Sequence, residues 1–489
     1  GRLGRDRRPV VRGQAMAPRS LTIALGGALA LAAALPRAEA VIQQFKDEPL
    51  LSNFLVYSRN AMYPSPEADT GVIDIKLDLD FPELGRDNVL VQVSVFPIEA
   101  YERIGLTEKQ PDGSTLQLYC CTPEMAAEGR LCNRPNSLIV DEKAQNIAVW
   151  DVEPEDDDVT RFRHKYEIAE KAITYVVISN CNSELTEGTI MVNGHLHWVN
   201  PFGELPGEVF GFLAFYKYMS MAYLACAAGW AILCARAWRE IIPLQNWCTL
   251  VIFFGLLEVY LRYMEFHHFN ETGARSKGIL LSSVFFLCVK KTLSRVLVLV
   301  VSLGFGLLKP TLASTTARIG YLAAAYFFFS GVQLTVENLS HHHGLTFSEY
   351  LLMLPVIFLD FMFAYWIFSS LSHIIRGLES RQQETKLNLY RKFNRVLIVC
   401  FLLGIIWTFV FVYCILTDFA VTNWEDFYKL EIFWDVQYFV VLLMILYLWA
   451  PSSNSLRFAY ERVDFDDEDD EGSYDADLED KLPTKFTKI

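Results

Sequence analysis

The sequence predicts a membrane protein in two parts, an all-β sandwich followed by a seven-helix transmembrane bundle. Two observations predict the fold and a third sets its compartment. Residues 41–210 alternate polar and apolar side chains, whereas 211–450 carry seven long apolar runs. Ahead of both, Met16 opens a segment built like a secretory signal. At 489 residues and 52% hydrophobic, the chain has room for both units.

The signal is read over residues 16–40. Arg19 supplies a positive start, Leu21 to Leu35 an apolar core, and Ala38-Glu39-Ala40 a small-x-small cleavage site before Val41. An uncleaved anchor is the alternative, but the core falls short of the roughly twenty apolar residues that a span needs. Residues 1–15 are basic, precede Met16, and read as an upstream leader or an artefact.

The β-domain is placed at 41–203. In Ile73, Ile75, Leu77, Leu79 and Phe81 every second residue is apolar, with Asp74, Lys76, Asp78 and Asp80 between, so one face meets a core and the other water. Val89, Val91, Val93 and Val95 repeat the pattern before Pro97. Further strands are expected at 116–120, 137–140, 146–152, 173–179 and 189–198, with a short one at 166–169. Many short strands joined by turns indicate a sandwich. Cys120, Cys121, Cys132 and Cys181 fall here, and an oxidising lumen implies two disulfides with three connectivities. A bridge between neighbours Cys120 and Cys121 would be strained, so each is expected to pair with Cys132 or Cys181. Zinc is the rival, but no second close cysteine pair is present.

After a linker at 204–210, spans are placed near 211–235, 246–266, 279–308, 319–336, 350–371, 395–417 and 431–450. The loop 372–394 carries Arg376, Arg381, Lys386, Arg391 and Lys392 and reads as cytosolic; the loop 337–348 has no lysine or arginine and reads as lumenal. Sequons at Asn270 and Asn338 fall in loops that the charge rule places in the lumen. The tail, 451–489, holds an acidic block, Asp464 to Glu471, that repels itself and stays solvated. The net charge of −14 argues against nucleic acid as a partner.

The run Trp198-Val199-Asn200-Pro201-Phe202-Gly203-Glu204-Leu205-Pro206-Gly207, directly before seven apolar runs, resembles the GOLD-domain seven-transmembrane family, also called lung seven-transmembrane receptors. Lys290-Lys291-Thr292-Leu293-Ser294-Arg295-Val296-Leu297-Val298, Val301 to Gly306, Lys309-Pro310 and the exit Leu448 to Tyr460 resemble its transmembrane protein 87 branch. Ala450 departs from the arginine expected there in animal relatives. The resemblance covers about 41–460. It implies a GOLD-like sandwich over the bundle, residence in Golgi membranes, with endosome or plasma membrane as further stations, and a role in secretory or endosome-to-Golgi protein trafficking. Some relatives are proposed to be cation or mechanosensitive channels. A cation channel and a seven-helix signalling receptor are therefore the alternatives.

No phosphate-cradling glycine loop, nucleophile elbow or zinc-protease helix is present, so the chain is not expected to be an enzyme. Its candidate site is a charged interior of the bundle. Glu258, Arg262 and Glu265 recur at helical spacing in the second span; Lys291 and Arg295 do so in the third, with Lys290 beside them. Asp360 sits mid-way in the fifth span and Asp435 near the lumenal end of the seventh. Counting from the membrane edges puts Glu258, Arg295 and Asp360 at one depth and Arg262 near Lys290 and Lys291. A charge at the bilayer centre costs at least roughly 2.5–3.5 kcal/mol, so these groups should face inward, paired or hydrated. The functional reading is a polar cavity for ions or a phospholipid headgroup, the bases of the third span favouring an anionic headgroup; register-fixing ion pairs are the alternative. No cofactor is expected beyond a bound phospholipid. His267, His268, His341, His342 and His343 form a pH-sensor candidate, weighed against ordinary solvated histidines. Tyr460 to Val463 fits an adaptor signal and Asp477 to Glu479 a di-acidic export signal, each short enough to arise by chance. The expected partners are membrane lipid, a lumenal cargo protein and a cytosolic sorting adaptor.

Overall fold

The computed structural model describes residues 42–51, 54–64, 71–81, 89–109, 115–128, 132, 134–141, 146–154, 159–182, 189–305, 308, 315–339, 347–417 and 419–451. The described β-domain contains β1 (Ile42–Leu50), β2 (Phe54–Met62), β3 (Val72–Asp80), β4 (Val91–Pro97), β5 (Leu106–Lys109), β6 (Thr115–Leu118), β7 (Ala148–Val152), β8 (Val159–Glu167), β9 (Ala172–Asn180) and β10 (Ile190–Val199). One antiparallel sheet runs β1-β10-β3-β8 and a second runs β2-β9-β4-β7. Their inner faces share a core of Ile73, Ile75, Leu77 and Leu79 with Val91, Val93, Val95, Val176 and Ile178. The alternation of β3 is realised: its apolar residues are buried, Asp74, Lys76 and Asp78 half-buried, and Asp80 exposed.

Three sequence expectations change here. The second face of β4 is buried instead of wet, because the chain after Pro97 folds back over it. Gln92 is held there: its Oε1 accepts from the Leu138 amide at 2.6 Å and its Nε2 donates to Asp151 at 2.7 Å. Residues 137–140 form isolated bridges, Cys120 to Leu138 and Ile104 to Val140, instead of a strand. Residues 166–169 are no separate strand either; Tyr166 belongs to β8, whose charged outward positions obscured it. The disulfides are Cys120–Cys181, with Cα atoms 5.2 Å apart, and Cys121–Cys132, at 6.1 Å. The first staples the excursion after Pro97 onto the sandwich beyond β9, and the second closes the loop around its short helix α1 (Pro123–Glu128).

Beyond β10, the described residues contain seven long helices: α2 (Gly207–Arg236), α3 (Pro243–Thr272), α4 (Lys277–Ser302), α5 (Thr315–Leu339), α6 (Phe347–Ser380), α7 (Glu384–Leu416) and, after a single turn α8 (Phe419–Thr422), α9 (Trp424–Leu448). Six of the seven are long and apolar enough to cross a membrane by composition alone. The exception, α4, carries Lys277, Lys290, Lys291 and Arg295. It ends at Ser302, not near 308, because Gly304 takes a left-handed φ of +79°. Most helices outrun the apolar runs that located them. α2 starts inside the expected linker, and α9 starts seven residues before the expected span with Glu425, Asp426 and Lys429 in its first turns.

The run from Trp198 to Gly207 builds the joint between the two parts. Trp198 is fully buried in the sandwich core. Asn200 donates to the Ala61 and Leu205 carbonyls at 3.3 and 3.0 Å and accepts from the Tyr63 amide at 3.0 Å. Gly203 sits at φ +127°, where an added Cβ would lie 2.6 Å from the amide of Asn270. That amide clamps the linker to α3: Nδ2 donates to the Phe202 carbonyl at 3.0 Å, and Oδ1 accepts from the Leu205 amide at 3.2 Å. The nitrogen that the sequon would glycosylate is thus also part of the clamp, which gives Asn270 a structural role. Across the joint, Lys171 pairs with Glu425 at 2.7 Å and Tyr63 packs edge-on against Trp424. Burial, with Glu425 and Asp426 near, pushes the Tyr63 hydroxyl up to about 12.

Candidate functional site in the helix bundle

Of the charged residues singled out in the second, third, fifth and seventh spans, Glu258, Arg262, Lys290, Arg295, Asp360 and Asp435 form two groups in the bundle, with α4 at the hub. Lys290 is 3% exposed and projects between two other helices. Its Nζ donates to Glu258 Oε2 on α3 at 2.9 Å and to Asp435 Oδ1 on α9 at 3.0 Å. The Tyr216 hydroxyl on α2 donates to the second oxygen of Asp435 at 3.2 Å. Arg262, one turn along α3 from Glu258, lies 3.7 Å from its other oxygen and over the Tyr216 ring. Lys290 also lies over the Tyr438 ring at 5.0 Å.

A second pair lies further along α4. Arg295 Nε donates to Asp360 on α6 at 2.5 Å and its guanidinium stacks 4.3 Å from the Tyr326 ring of α5. Arg295 also donates to the Lys291 carbonyl at 3.1 Å, one turn back. Glu265 stands apart. It is buried, pairs with Arg275 beyond the end of α3, and accepts from Ser283 of α4 at 2.8 Å. It therefore ties the α3–α4 connection together and does not join Glu258.

The physical reason for this arrangement is desolvation. An isolated charge in a helix bundle is costly, and Arg262, Lys290 and Arg295 each find a carboxylate on another element or on the next turn. Arg262, Lys290 and Arg295 are matched by Glu258, Asp435 and Asp360. Two bases of the third span thus meet acids from other helices, Lys290 with Glu258 and Asp435 and Arg295 with Asp360. Of the residues counted to one depth, Arg295 and Asp360 pair at 2.5 Å, and Arg262 shares Glu258 with Lys290. Glu258 meets Lys290 and not Arg295, because α3 continues to Thr272. Asp435 lies about three turns inside α9, because that helix begins at Trp424.

The tyrosines Tyr216, Tyr326 and Tyr438 were not singled out from the sequence. Their only signal there is an aromatic hydroxyl within an otherwise apolar span. His267 lies 3.4 Å from Glu271 and stacks on Tyr263, at the end of α3 toward the β-domain. His268 supplies its carbonyl to the Thr272 hydroxyl at 2.8 Å. His341, His342, His343, Tyr460, Val463, Asp477 and Glu479 lie outside the described residues, and Asn338 lies in the last turn of α5. A histidine pair emerges elsewhere instead: His197 of β10 contacts Glu204 of the linker at 2.6 Å.

Residues 211–456 match the family described as GOST, seven transmembrane domain. The chain is 31% identical over 303 residues to Transmembrane protein 87B of Mus musculus, covering 61% of this chain and 53% of that protein. It is 31% identical over 298 residues to Transmembrane protein 87A of Homo sapiens, covering 60% and 51%. To Membrane protein PTM1 of Saccharomyces cerevisiae it is 25% identical over 304 residues, covering 60% and 57%. The chain spans about half the length of the curated relatives it matches.

Proposed function

Because the chain belongs to the GOST seven-transmembrane family, we propose that it is a Golgi membrane protein acting in secretory and endosome-to-Golgi protein trafficking, with its β-domain in the lumen. The observation that carries this reading is the joint. The β-domain is not tethered by a loose linker but clamped through Asn200, Gly203 and Asn270 to the end of α3, and through Tyr63 and Lys171 to the start of α9. Cargo bound to the sandwich would therefore bias the helices, and through them the cytosolic tail, where Tyr460 and Asp477 are the proposed adaptor contacts.

The test is a sorting assay in cells lacking their own relative of this chain. Expression of the full chain should restore Golgi retrieval of a lumenal cargo reporter, and Asn270→Ala, which opens the clamp, should express but fail to restore it. Rescue by the clamp variant at the wild-type level would reject the coupling.

Cation passage is the second reading, favoured by one observation. Glu258 and Asp435 face the same buried Lys290 from two helices, so movement of that lysine would expose a pair of carboxylates to a mobile cation. Ion flux into liposomes holding the purified chain, lost in Glu258→Gln, would support this reading over trafficking.

A further inference from the structure

The outer surface of α2 and α3 carries a groove of about 370 Å³, lined by Ser220, Met221 and Leu224 of α2 and by Phe253, Leu257 and Tyr260 of α3. Its lining is apolar but for two hydroxyls. Met221, Leu224 and Phe253 are each well over half exposed, so the groove opens toward the hydrocarbon and not toward the bundle interior.

Lys217 stands above this groove. Three, four and seven residues separate it from Ser220, Met221 and Leu224, so at 3.6 residues per turn it occupies the same face of α2, one turn nearer the β-domain. It is exposed, and no carboxylate of the described residues forms an ion pair with it. The charged residues of the facing helix are engaged elsewhere: Glu258 and Arg262 in the interior, Glu271 with His267.

Bilayer geometry places that ammonium at a headgroup. α2 ends at Arg236, followed by Trp238, which is 67% exposed and stacks with Arg239. Such an exposed aromatic–basic cluster marks a membrane interface. From Lys217 to Arg236 the helix rises about 29 Å at 1.5 Å per residue, close to the roughly 30 Å of a hydrocarbon core. Lys217 therefore falls at the opposite interface, beside exposed Tyr218, with the groove running inward beneath it.

We propose that Lys217 and the α2–α3 groove form a binding site for an anionic phospholipid of the leaflet on the β-domain side. The lysine pairs with the headgroup and the groove takes an acyl chain. Neither half suffices alone: a bare groove accepts any chain, and a lone lysine any anion. Together they select a lipid that is charged at the level of Lys217 and apolar below it.

The test uses the full chain in nanodiscs containing a phosphatidylserine or a phosphatidylcholine with a photoactivatable acyl chain. Labelled peptides are mapped by mass spectrometry. Label should concentrate on the segments holding Met221, Leu224 and Phe253, with phosphatidylserine favoured about fivefold, the effect of one lysine near an anionic surface. Lys217→Gln should abolish the preference. Leu224→Trp, which fills the groove, should reduce labelling by both lipids, and Met221→Trp serves if that variant does not fold. Phe361→Trp, on the exposed face of α6, should change nothing. Equal labelling by both lipids, a preference that survives Lys217→Gln, or label spread evenly over α6 would mean annular lipid only and overturn the proposal.

Discussion

Replacing Lys290 by methionine tests whether the interior charges hold the bundle together. The side chain keeps its length and loses its charge, leaving Glu258 and Asp435 without the cation between them. Contacts of 2.9 and 3.0 Å to the same nitrogen put the two carboxylate oxygens no more than about 6 Å apart. Two full charges at about 5.5 Å repel by roughly 3 kcal/mol at an effective dielectric constant of 20. Removing one partner of a buried pair typically costs about 3–5 kcal/mol, a range that already contains this repulsion. The expected loss is therefore about 3–5 kcal/mol, or a drop of roughly 10 °C in apparent melting temperature for a bundle of this size. Melting of the detergent-purified chain, followed by intrinsic fluorescence and size-exclusion profile, reads it directly. The triple variant Lys290→Met, Glu258→Gln, Asp435→Asn removes all three charges and should recover most of the loss. A Lys290→Met protein that melts with the wild type would refute the reasoning, as would a triple variant worse than the single one.

Three further outcomes are expected. Replacing Cys120 and Cys181 together by serine opens a bridge spanning 61 residues and should cost about 4 kcal/mol, whereas opening Cys121–Cys132, spanning 11, should cost about 3, measured by thermal melting of the unreduced chain. Gly203→Ala places a methyl group against Asn270 at a φ of +127° and should expose the joint to limited proteolysis near residues 200–207 while leaving the disulfides formed; an unchanged cleavage pattern would count against the clamp. Asp151 is partly desolvated, which raises its pKa, but the hydrogen bonds from Gln92 and Arg134 outweigh this and hold it below the usual carboxylate value. Its stabilising contribution is thus present above about pH 3.8 and lost as pH falls through the lower folded value, so the gap in melting temperature between wild type and Asp151→Asn should narrow on acidification from pH 5 toward pH 3.

Patterns local to a few turns were legible in the sequence. Strand β3 could be read because every second side chain of Ile73 to Phe81 is apolar, and a half-buried strand has a period of two. The helices could be read because a span must be apolar for roughly twenty residues. The cysteine pairing was narrowed because adjacent Cys120 and Cys121 cannot bridge without strain. Whatever depends on a distant partner was not legible. Gln92 and Ser94 look like solvent positions of an alternating strand, yet the excursion after Pro97 covers them. Asn270 satisfies a sequon by three consecutive residues, while its amide is taken by a linker 65 or more residues away. The same limit applied at the candidate site. Sequence spacing placed Glu258, Arg262, Lys290, Arg295, Asp360 and Asp435 on inward faces, because hydrocarbon tolerates no other side for them. Which acid neutralises which base depends on helix length, tilt and the distance between packed helices, and those are properties of the assembled bundle alone.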